Sequence, residues 1–120
     1  MFTYLFTFQD VDYIQHNNEY LLKAFKDCLI ECGYNIVSGI TETFDVKKTP
    51  EALFLEDKAI TSVFILSESH AVLHTFPESG VLTVDIFECN TKLVKSELFL
   101  KIFSKAIGAD HYQEDIVDRI

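Results

Sequence analysis

Apolar and polar residues follow two different periods along the chain, and the changes between them predict its strands and helices. Alternation at every second position is typical of half-buried strands. It predicts strands at residues 2–9, 34–45, 59–68, 70–76, 81–89 and 111–120. Apolar residues at helical spacing predict one helix from Asn17 or Asn18 to about Cys32 and another from Leu93 to Ile107.

Turn-forming residues mark where these segments end. Gly33 is a natural stop for the first helix, and Pro77 to Gly80 has the composition of a tight turn. The polar stretch Lys47 to Lys58 contains Pro50 and predicts a loop. Short connections between two main helices and several strands favour one α+β domain over residues 1–120, a two-layer sandwich with a mainly antiparallel sheet.

Composition narrows the classes of function. Apolar residues make up 48% of the 120 residues, which is typical of a packed domain, and the eleven phenylalanines predict an aromatic-rich core. The net charge of −9 argues against a nucleic-acid binder, because such proteins need a basic face for phosphates. The same charge is compatible with a cationic substrate, although a solvated acidic surface explains most of it.

The cysteines and the N-terminal segment predict where the protein resides. Three cysteines are an odd number, and with no signal-peptide pattern they favour a reducing cytoplasm. No cysteine or histidine cluster has the spacing of a zinc site, so we expect no metal. No apolar run approaches the length of a membrane span, so we expect no membrane partner.

The chemistry-bearing residues concentrate in one region. Strand alternation places His70, His74 and Phe76 on one face of a strand that begins next to Ser69, and Cys89 follows His74 by fifteen residues. Serine or cysteine near histidine suggests nucleophilic catalysis. Taken singly, a strand histidine or a free cysteine is more often a packing residue than a catalyst.

Three blocks together resemble one family, the pyruvoyl-dependent S-adenosylmethionine decarboxylases of the small prokaryotic type. The blocks are Ser67-Glu68-Ser69-His70, His74-Thr75-Phe76-Pro77-Glu78 and Val84-Asp85-Ile86-Phe87-Glu88-Cys89. The resemblance extends over nearly the whole chain, and its central 35 residues or so are the specific part.

This resemblance implies that the chain processes itself. The Ser69 hydroxyl would attack the carbonyl of Glu68, and the resulting ester would be cleaved by loss of the Ser69 α-proton. The remaining dehydroalanine would hydrolyse to a pyruvoyl group and ammonia. That group would be the cofactor, an electron sink for decarboxylation.

The resemblance also assigns roles to other residues. His74 would help to remove the α-proton, and Thr61 stands where the family has a processing serine. Cys89 would protonate the product carbanion at its α carbon, which a thiol can do when its surroundings tune its pKa.

The adenosine pocket matches the family less closely. Phe76 stands where relatives usually carry tryptophan, and Glu78 matches a glutamate that is expected to bind ribose hydroxyls. Leu66 and Glu68 complete the substrate-binding set that the resemblance implies. A second aromatic, expected a few residues before Thr61, is not clearly aligned, although Leu55 and its neighbour Phe54 fall near that position.

The function that the resemblance implies is decarboxylation of S-adenosylmethionine, which supplies the aminopropyl donor for spermidine synthesis. One alternative is the same chemistry on ornithine or arginine, because the region around Phe76 and Leu55 departs from the family pattern. Another is an uncleaved, inactive homologue that regulates a partner, which Ser69, His74 and Cys89 together argue against. The resemblance also implies a homodimer whose active sites use residues of both protomers, and an apolar face left on an aromatic-rich sheet favours the same assembly.

Overall fold

In the part of the chain that the structure describes, six strands form a single sheet and two helices cover one of its faces. The computed structural model describes residues 1–46, 58–89 and 94–119. In chain order the elements are β1 (Phe2–Gln9), α1 (Asn18–Glu31), β2 (Ile36–Asp45), β3 (Lys58–Leu66), β4 (His70–Phe76), β5 (Val81–Glu88), α2 (Val94–Ile107) and β6 (His111–Asp118). The strands lie in the order β2-β3-β4-β5-β1-β6, and every neighbouring pair is antiparallel. The predicted α+β two-layer fold is confirmed.

Local chemistry accounts for where α1 begins and ends. The Asn17 side chain accepts a hydrogen bond from the Tyr20 N–H at 2.8 Å and caps the helix N-terminus. At the other end Gly33 has φ +92°, and the Tyr34 N–H donates to the Leu29 carbonyl at 3.0 Å. This pattern is a Schellman motif, in which a glycine adopts the left-handed conformation that other residues avoid.

The core lies between the helices and the covered face of the sheet. Its largest fully buried side chains include six aromatics: Tyr4, Phe6, Phe8, Phe25, Phe99 and Phe103. Rings from β1 and both helices pack at centroid separations of 5.2 to 6.4 Å. The predicted aromatic-rich core is therefore confirmed, and it holds the sheet in a fixed position against the helices.

The other face of the sheet carries no helix among the described residues. Strand alternation places His70, Val72, His74 and Phe76 on this open face, while Ala71, Leu73 and Thr75 point into the core, as predicted. Five apolar residues of the open face are at least 37% exposed: Ile40, Phe44, Ile65, Phe76 and Val117.

Several predicted boundaries were wrong by one or two residues. Strand β2 begins at Ile36 rather than Tyr34, because the Tyr34 N–H completes the end of α1. Strand β3 ends at Leu66 rather than Glu68, because the chain turns at Ser67 and Glu68. The predicted loop Lys47 to Lys58 lies outside the described residues up to residue 57, as do Leu93 and Ile120.

Strand β5 ends at Glu88, one residue before the predicted end, and strand β3 begins at Lys58, one residue early. In α1 the apolar side chain of Ile30 is 54% exposed. Cys28 is buried instead and contacts α2 through the Phe99 carbonyl.

Candidate active site

The turn between β3 and β4 holds the Glu68–Ser69 peptide bond at one end of the sheet. The Leu66 N–H donates to the Ser69 carbonyl at 3.0 Å and closes the turn. Glu68 is exposed and Ser69 is half-buried. The predicted cleavage position is therefore in a short connection between two paired strands, where solvent reaches the bond.

Cys89 lies directly beside this bond. Its Sγ donates to the Glu68 carbonyl oxygen at 2.5 Å. The contact forms because Cys89 follows the last residue of β5, the strand paired with β4, so both strand ends meet at the same edge. A thiol at this carbonyl can stabilise negative charge that develops on the oxygen when a hydroxyl attacks the carbon.

The other two cysteines are buried elsewhere. Cys28 and Cys32 lie at the helix layer, one turn apart, and are 2% and 6% exposed. Their mutual hydrogen bond, with burial, raises the pKa of the Cys28 thiol. Of the three cysteines, Cys89 alone touches the predicted cleavage position.

The buried side of the turn is polar. A cavity of about 200 Å³ there is lined by Tyr34, Glu88 and Lys95 together with the turn itself. Burial and the nearby Glu88 carboxylate raise the pKa of Tyr34, and the Lys95 Nζ lies 4.8 Å from the centre of the Tyr34 ring. Charged and phenolic groups thus lie behind the bond, on the side away from the open face.

The side chain of Leu66 also points to the buried side. It is 3% exposed and belongs to the core, so only the backbone of this residue is available to a ligand. A substrate contact predicted at Leu66 is therefore restricted to its main chain.

His74 and Thr61 form a second polar group on the open face. The Thr61 Oγ1 lies 2.9 Å from the His74 Nδ1, across the register pair that joins β3 and β4. Because this hydrogen bond engages Nδ1, it orients the ring and leaves Nε2 for other contacts.

A cavity of about 320 Å³ opens beside His74. Phe76 and Glu78 line it from β4 and the following turn, and Phe44 and Ala59 line it from β2 and β3. The small Ala59 side chain lies between the two phenylalanines on the same face, because Phe44 pairs with Ala59. The cavity is therefore deepest at Ala59, with an aromatic side chain on each side.

Buried hydrogen bonds fix the strand below this cavity. The Thr75 Oγ1 accepts from the Ile60 N–H at 2.9 Å and donates to the Asn18 Oδ1 at 3.0 Å. The Asn18 Nδ2 in turn donates to the Lys58 carbonyl at 2.6 Å. The start of α1 is therefore bonded to β3 and β4, two of the strands that line the cavity.

Tyr13 secures the turn that follows β4. Its hydroxyl donates to the Val81 carbonyl at 2.5 Å and accepts from the Phe76 N–H at 3.1 Å. Burial raises the pKa of Tyr13, so the phenol stays neutral and keeps its proton to donate. Glu78, in the same turn, is held near the cavity by this arrangement.

The structure brings the predicted residues together as two groups rather than one. Glu68, Ser69 and Cys89 form the first group, and Thr61, His74, Phe76 and Glu78 form the second. His74 pairs with Thr83 of β5, and Cys89 comes six residues after Thr83 in the chain. At about 3.3 Å per residue, Cys89 lies roughly 20 Å and Ser69 roughly 17 Å from His74 along the sheet.

Sequence reasoning did not find Asn35 or Phe44. Asn35 contacts the turn from the segment between α1 and β2, and Phe44 lines the cavity from an edge strand. The apolar alternation of β2 could have placed Phe44 on the open face. Nothing local to Asn35 indicates its partner, which is 32 residues away.

Among the described residues no group of three or more potential metal ligands is close enough to hold a metal ion. No helix in the described ranges is long and apolar enough to cross a membrane.

The fold and the site define a small α+β domain with one polar group at the end of its sheet, beside Cys89, and a second on the open face, around His74. A family model described as S-adenosylmethionine decarboxylase matches residues 6–120. The chain belongs to the S-adenosylmethionine decarboxylase family, and the predicted family resemblance is confirmed.

Individual relatives are distant. The S-adenosylmethionine decarboxylase proenzyme of Archaeoglobus fulgidus is 33% identical over 60 residues, 50% of this chain and 53% of that protein. The proenzyme of Prochlorococcus marinus is 25% identical over 104 residues, 86% of this chain and 74% of that protein. For the proenzyme of Clostridium kluyveri the identity is 30% over 80 residues, 67% of this chain and 55% of that protein. The chain thus covers between about half and three quarters of these relatives.

The fold is also found in a solved structure. The crystal structure of the adenosylmethionine decarboxylase from Aquifex aeolicus VF5 superposes with a TM-score of 0.73 at 18% identity. The match covers 98% of this chain and 88% of that chain. At this identity the likeness concerns the fold.

Proposed function

We propose that this protein cleaves itself between Glu68 and Ser69 and uses the resulting pyruvoyl group to decarboxylate S-adenosylmethionine. The product would be the aminopropyl donor for spermidine synthesis. The observation that carries the proposal is the Cys89 Sγ at 2.5 Å from the Glu68 carbonyl oxygen, in a chain of the S-adenosylmethionine decarboxylase family.

Self-cleavage needs a nucleophile, a stabilised oxyanion and a base. The Ser69 Oγ attacks the Glu68 carbonyl carbon, the C–N bond breaks, and the Ser69 amine is released as an ester forms. The Cys89 thiol donates to the carbonyl oxygen while charge develops there. A histidine then removes the Ser69 α-proton, the Cβ–Oγ bond breaks, and Glu68 leaves with its new carboxylate. Water converts the dehydroalanine to pyruvoyl and ammonia.

In turnover the pyruvoyl group at residue 69 supplies the electron sink for loss of carbon dioxide. The chain's own residues hold the substrate and return a proton. Cys89 lies at the same strand end as residue 69, so its thiol is within reach of the α carbon that needs protonation.

The cavity beside His74 suits an adenosine group. Phe76 presents a ring that is 37% exposed, and a purine can stack on such a face. Glu78 at the rim can accept hydrogen bonds from ribose hydroxyls. Of the three candidate substrates, only S-adenosylmethionine carries the groups that these two residues would bind.

The separation of the two polar groups supports a homodimer. A site with Ser69, Cys89 and His74 within reach cannot form inside one protomer, because roughly 20 Å of sheet separates His74 from Cys89. A two-fold partner stacked on the open face would place its His74 over the first protomer's turn. It would also cover the exposed apolar residues of that face.

Intact mass spectrometry of the purified protein tests the enzyme function first. We expect two fragments, residues 1–68 and a pyruvoyl-blocked chain from residue 69, while Ser69→Ala stays whole. A wild-type chain that remains uncut after long incubation would support the uncleaved homologue instead.

Release of carbon dioxide from S-adenosylmethionine, ornithine and arginine, measured in parallel, tests the substrate. We expect release from S-adenosylmethionine alone, and Glu78→Gln should raise its KM while leaving self-cleavage unchanged. Release only from ornithine or arginine would overturn the substrate and leave the pyruvoyl chemistry standing. The cytoplasmic location expected from the cysteines stays a prediction.

A further inference from the structure

We infer that Asn35 is a positioning residue for self-cleavage, one that holds the turn in the geometry from which Ser69 attacks. The inference rests on the proposed function, since it concerns the rate of the same cleavage. Asn35 lies outside the three sequence blocks that carry the family resemblance, and the structure alone brings it to the turn.

Two hydrogen bonds join Asn35 to the residue before Glu68. The Asn35 Nδ2 donates to the Ser67 Oγ at 2.7 Å, and the Ser67 N–H donates to the Asn35 carbonyl at 3.1 Å. Backbone and side chain of Ser67 are thus both bonded to a single residue. The Leu66–Ser67 peptide plane and the Ser67 side chain cannot rotate freely while both bonds are made, so the residue that precedes Glu68 is held in place.

Asn35 is itself fixed from both sides. The preceding residues complete the end of α1, where the Tyr34 N–H bonds to the Leu29 carbonyl. The following residue, Ile36, pairs with Leu66 at the end of β3. Asn35 therefore transmits the position of α1 and the sheet to the turn, rather than moving with it.

The turn is held on its other side by Cys89. The Cys89 thiol contacts the Glu68 carbonyl oxygen, one residue after the Ser67 contacts. Together these bonds fix the orientation of the carbonyl group that the Ser69 hydroxyl must approach. Attack within a peptide depends strongly on such orientation, so losing one anchor should slow the first step.

The step affected is formation of the ester, not its breakdown. In that step the Ser69 Oγ bonds to the Glu68 carbonyl carbon and the amide nitrogen leaves as the Ser69 amine. Breakdown depends on removal of the Ser69 α-proton by His74, a step in which the Asn35 contacts with Ser67 take no part. The two steps can be separated with hydroxylamine, which cleaves an ester and leaves the amide intact.

The test compares self-cleavage rates of the full chain as it is purified, with and without hydroxylamine. We expect Asn35→Ala to slow cleavage about tenfold, the rate equivalent of one hydrogen bond. Hydroxylamine should not restore it, because little ester forms. In His74→Ala, by contrast, hydroxylamine should cut the chain at residue 68.

Matched variants separate positioning from loss of folding. Ser67→Ala should show the same defect as Asn35→Ala, and the double variant should be no slower than either, because one contact is removed in all three. Asn35→Asp should recover part of the rate, since its carboxylate can accept from the Ser67 hydroxyl. Ser104→Ala, on α2, should cleave like wild type.

Each outcome decides the point. Three results would overturn the role of Asn35 while self-cleavage itself stands. They are a wild-type cleavage rate in Asn35→Ala, additive effects on the rate in the double variant, and full rescue of Asn35→Ala by hydroxylamine. A wild-type chain that never cleaves defeats the proposed function, and the role of Asn35 falls with it. Asn35→Ala and Ser67→Ala should each be measured by thermal unfolding in the uncleaved Ser69→Ala background, and their midpoints should be close to that of Ser69→Ala alone. A large drop in the midpoint would show that loss of folding causes the slower cleavage.

Discussion

Mixing two inactive variants should restore cleavage in only one of them. In Ser69→Ala the nucleophile is missing, and in His74→Ala the base is missing, so each homodimer stays uncut. A mixed dimer has one site with both mutations and one site with neither, provided that each site takes Ser69 from one protomer and His74 from its partner. The intact site should then cut the His74→Ala chain.

The structure sets the size of the effect. Along β5, roughly 20 Å separates the position opposite His74 from Cys89, which is too far for one imidazole to serve both ends of its own sheet. If protomers pair at random in equal amounts, about half of the His74→Ala chains are in mixed dimers, and a ninefold excess of Ser69→Ala raises this to about nine tenths. The cleaved fraction should follow that proportion in the first round of pairing.

Coexpression of the two variants with tags of different mass provides the assay. Intact mass spectrometry identifies which chain is cut, and native mass spectrometry counts the mixed dimers. Cleavage of His74→Ala chains alone is the expected result. Mixed dimers that form without any cleavage, or cleavage that occurs in the His74→Ala homodimer, would refute a site shared between protomers.

Three further substitutions test the site and its support. Thr61→Val should slow self-cleavage about tenfold because it removes the hydrogen bond that orients His74, and Thr61→Ser should keep the wild-type rate of fragment formation. Cys89→Ala should slow cleavage several-fold without preventing it, and carbon dioxide release by the cleaved protein should fall by about a hundredfold or more. In the uncleaved background, Thr75→Val should lower the free energy of unfolding by about 2 to 3 kcal/mol, since two buried hydrogen bonds are lost. Thr43→Val, at an exposed position, is its control and should change the free energy of unfolding by no more than about 0.5 kcal/mol. Urea titration measures both variants.

Most of the fold could be predicted because its signals are local. Alternation in β4 predicted which of its side chains face the core, and the glycine after α1 predicted the helix end. The errors occur where local preference is overridden by a contact from another element. Tyrosine is a residue type that is common in strands, but the Tyr34 N–H completes the C-terminal cap of α1. Ser67 continues the β3 pattern, but the chain turns there because Asn35 bonds to it.

The site could be predicted only in part. The sequence blocks named Ser69, His74 and Cys89, but alternation reports the face of a side chain and not its distance along the sheet. The separation of His74 from Cys89 emerged only from the strand register. Asn35 and Phe44 come from segments whose partners lie far away in the chain, and no local pattern predicts such contacts.

The strand order has a consequence for what happens after the chain is cut. Cleavage after Glu68 would leave β1, α1, β2 and β3 in one fragment and β4, β5, α2 and β6 in the other. Strand β1 of the first fragment is paired on both edges with strands of the second, β5 and β6. The fragments are interleaved, so neither can leave without breaking the sheet on both sides of β1.

Because of this interleaving, the two fragments would stay associated while the cut protein is folded. Once it unfolds, they would dissociate. Reassembly would require two independent pieces to meet, at a rate set by their concentration, instead of one chain folding by itself. Maturation would thus convert a refoldable proenzyme into a protein whose lifetime depends on how slowly it unfolds. Dilution after brief heating should let the Ser69→Ala chain recover its fold far better than the mature enzyme.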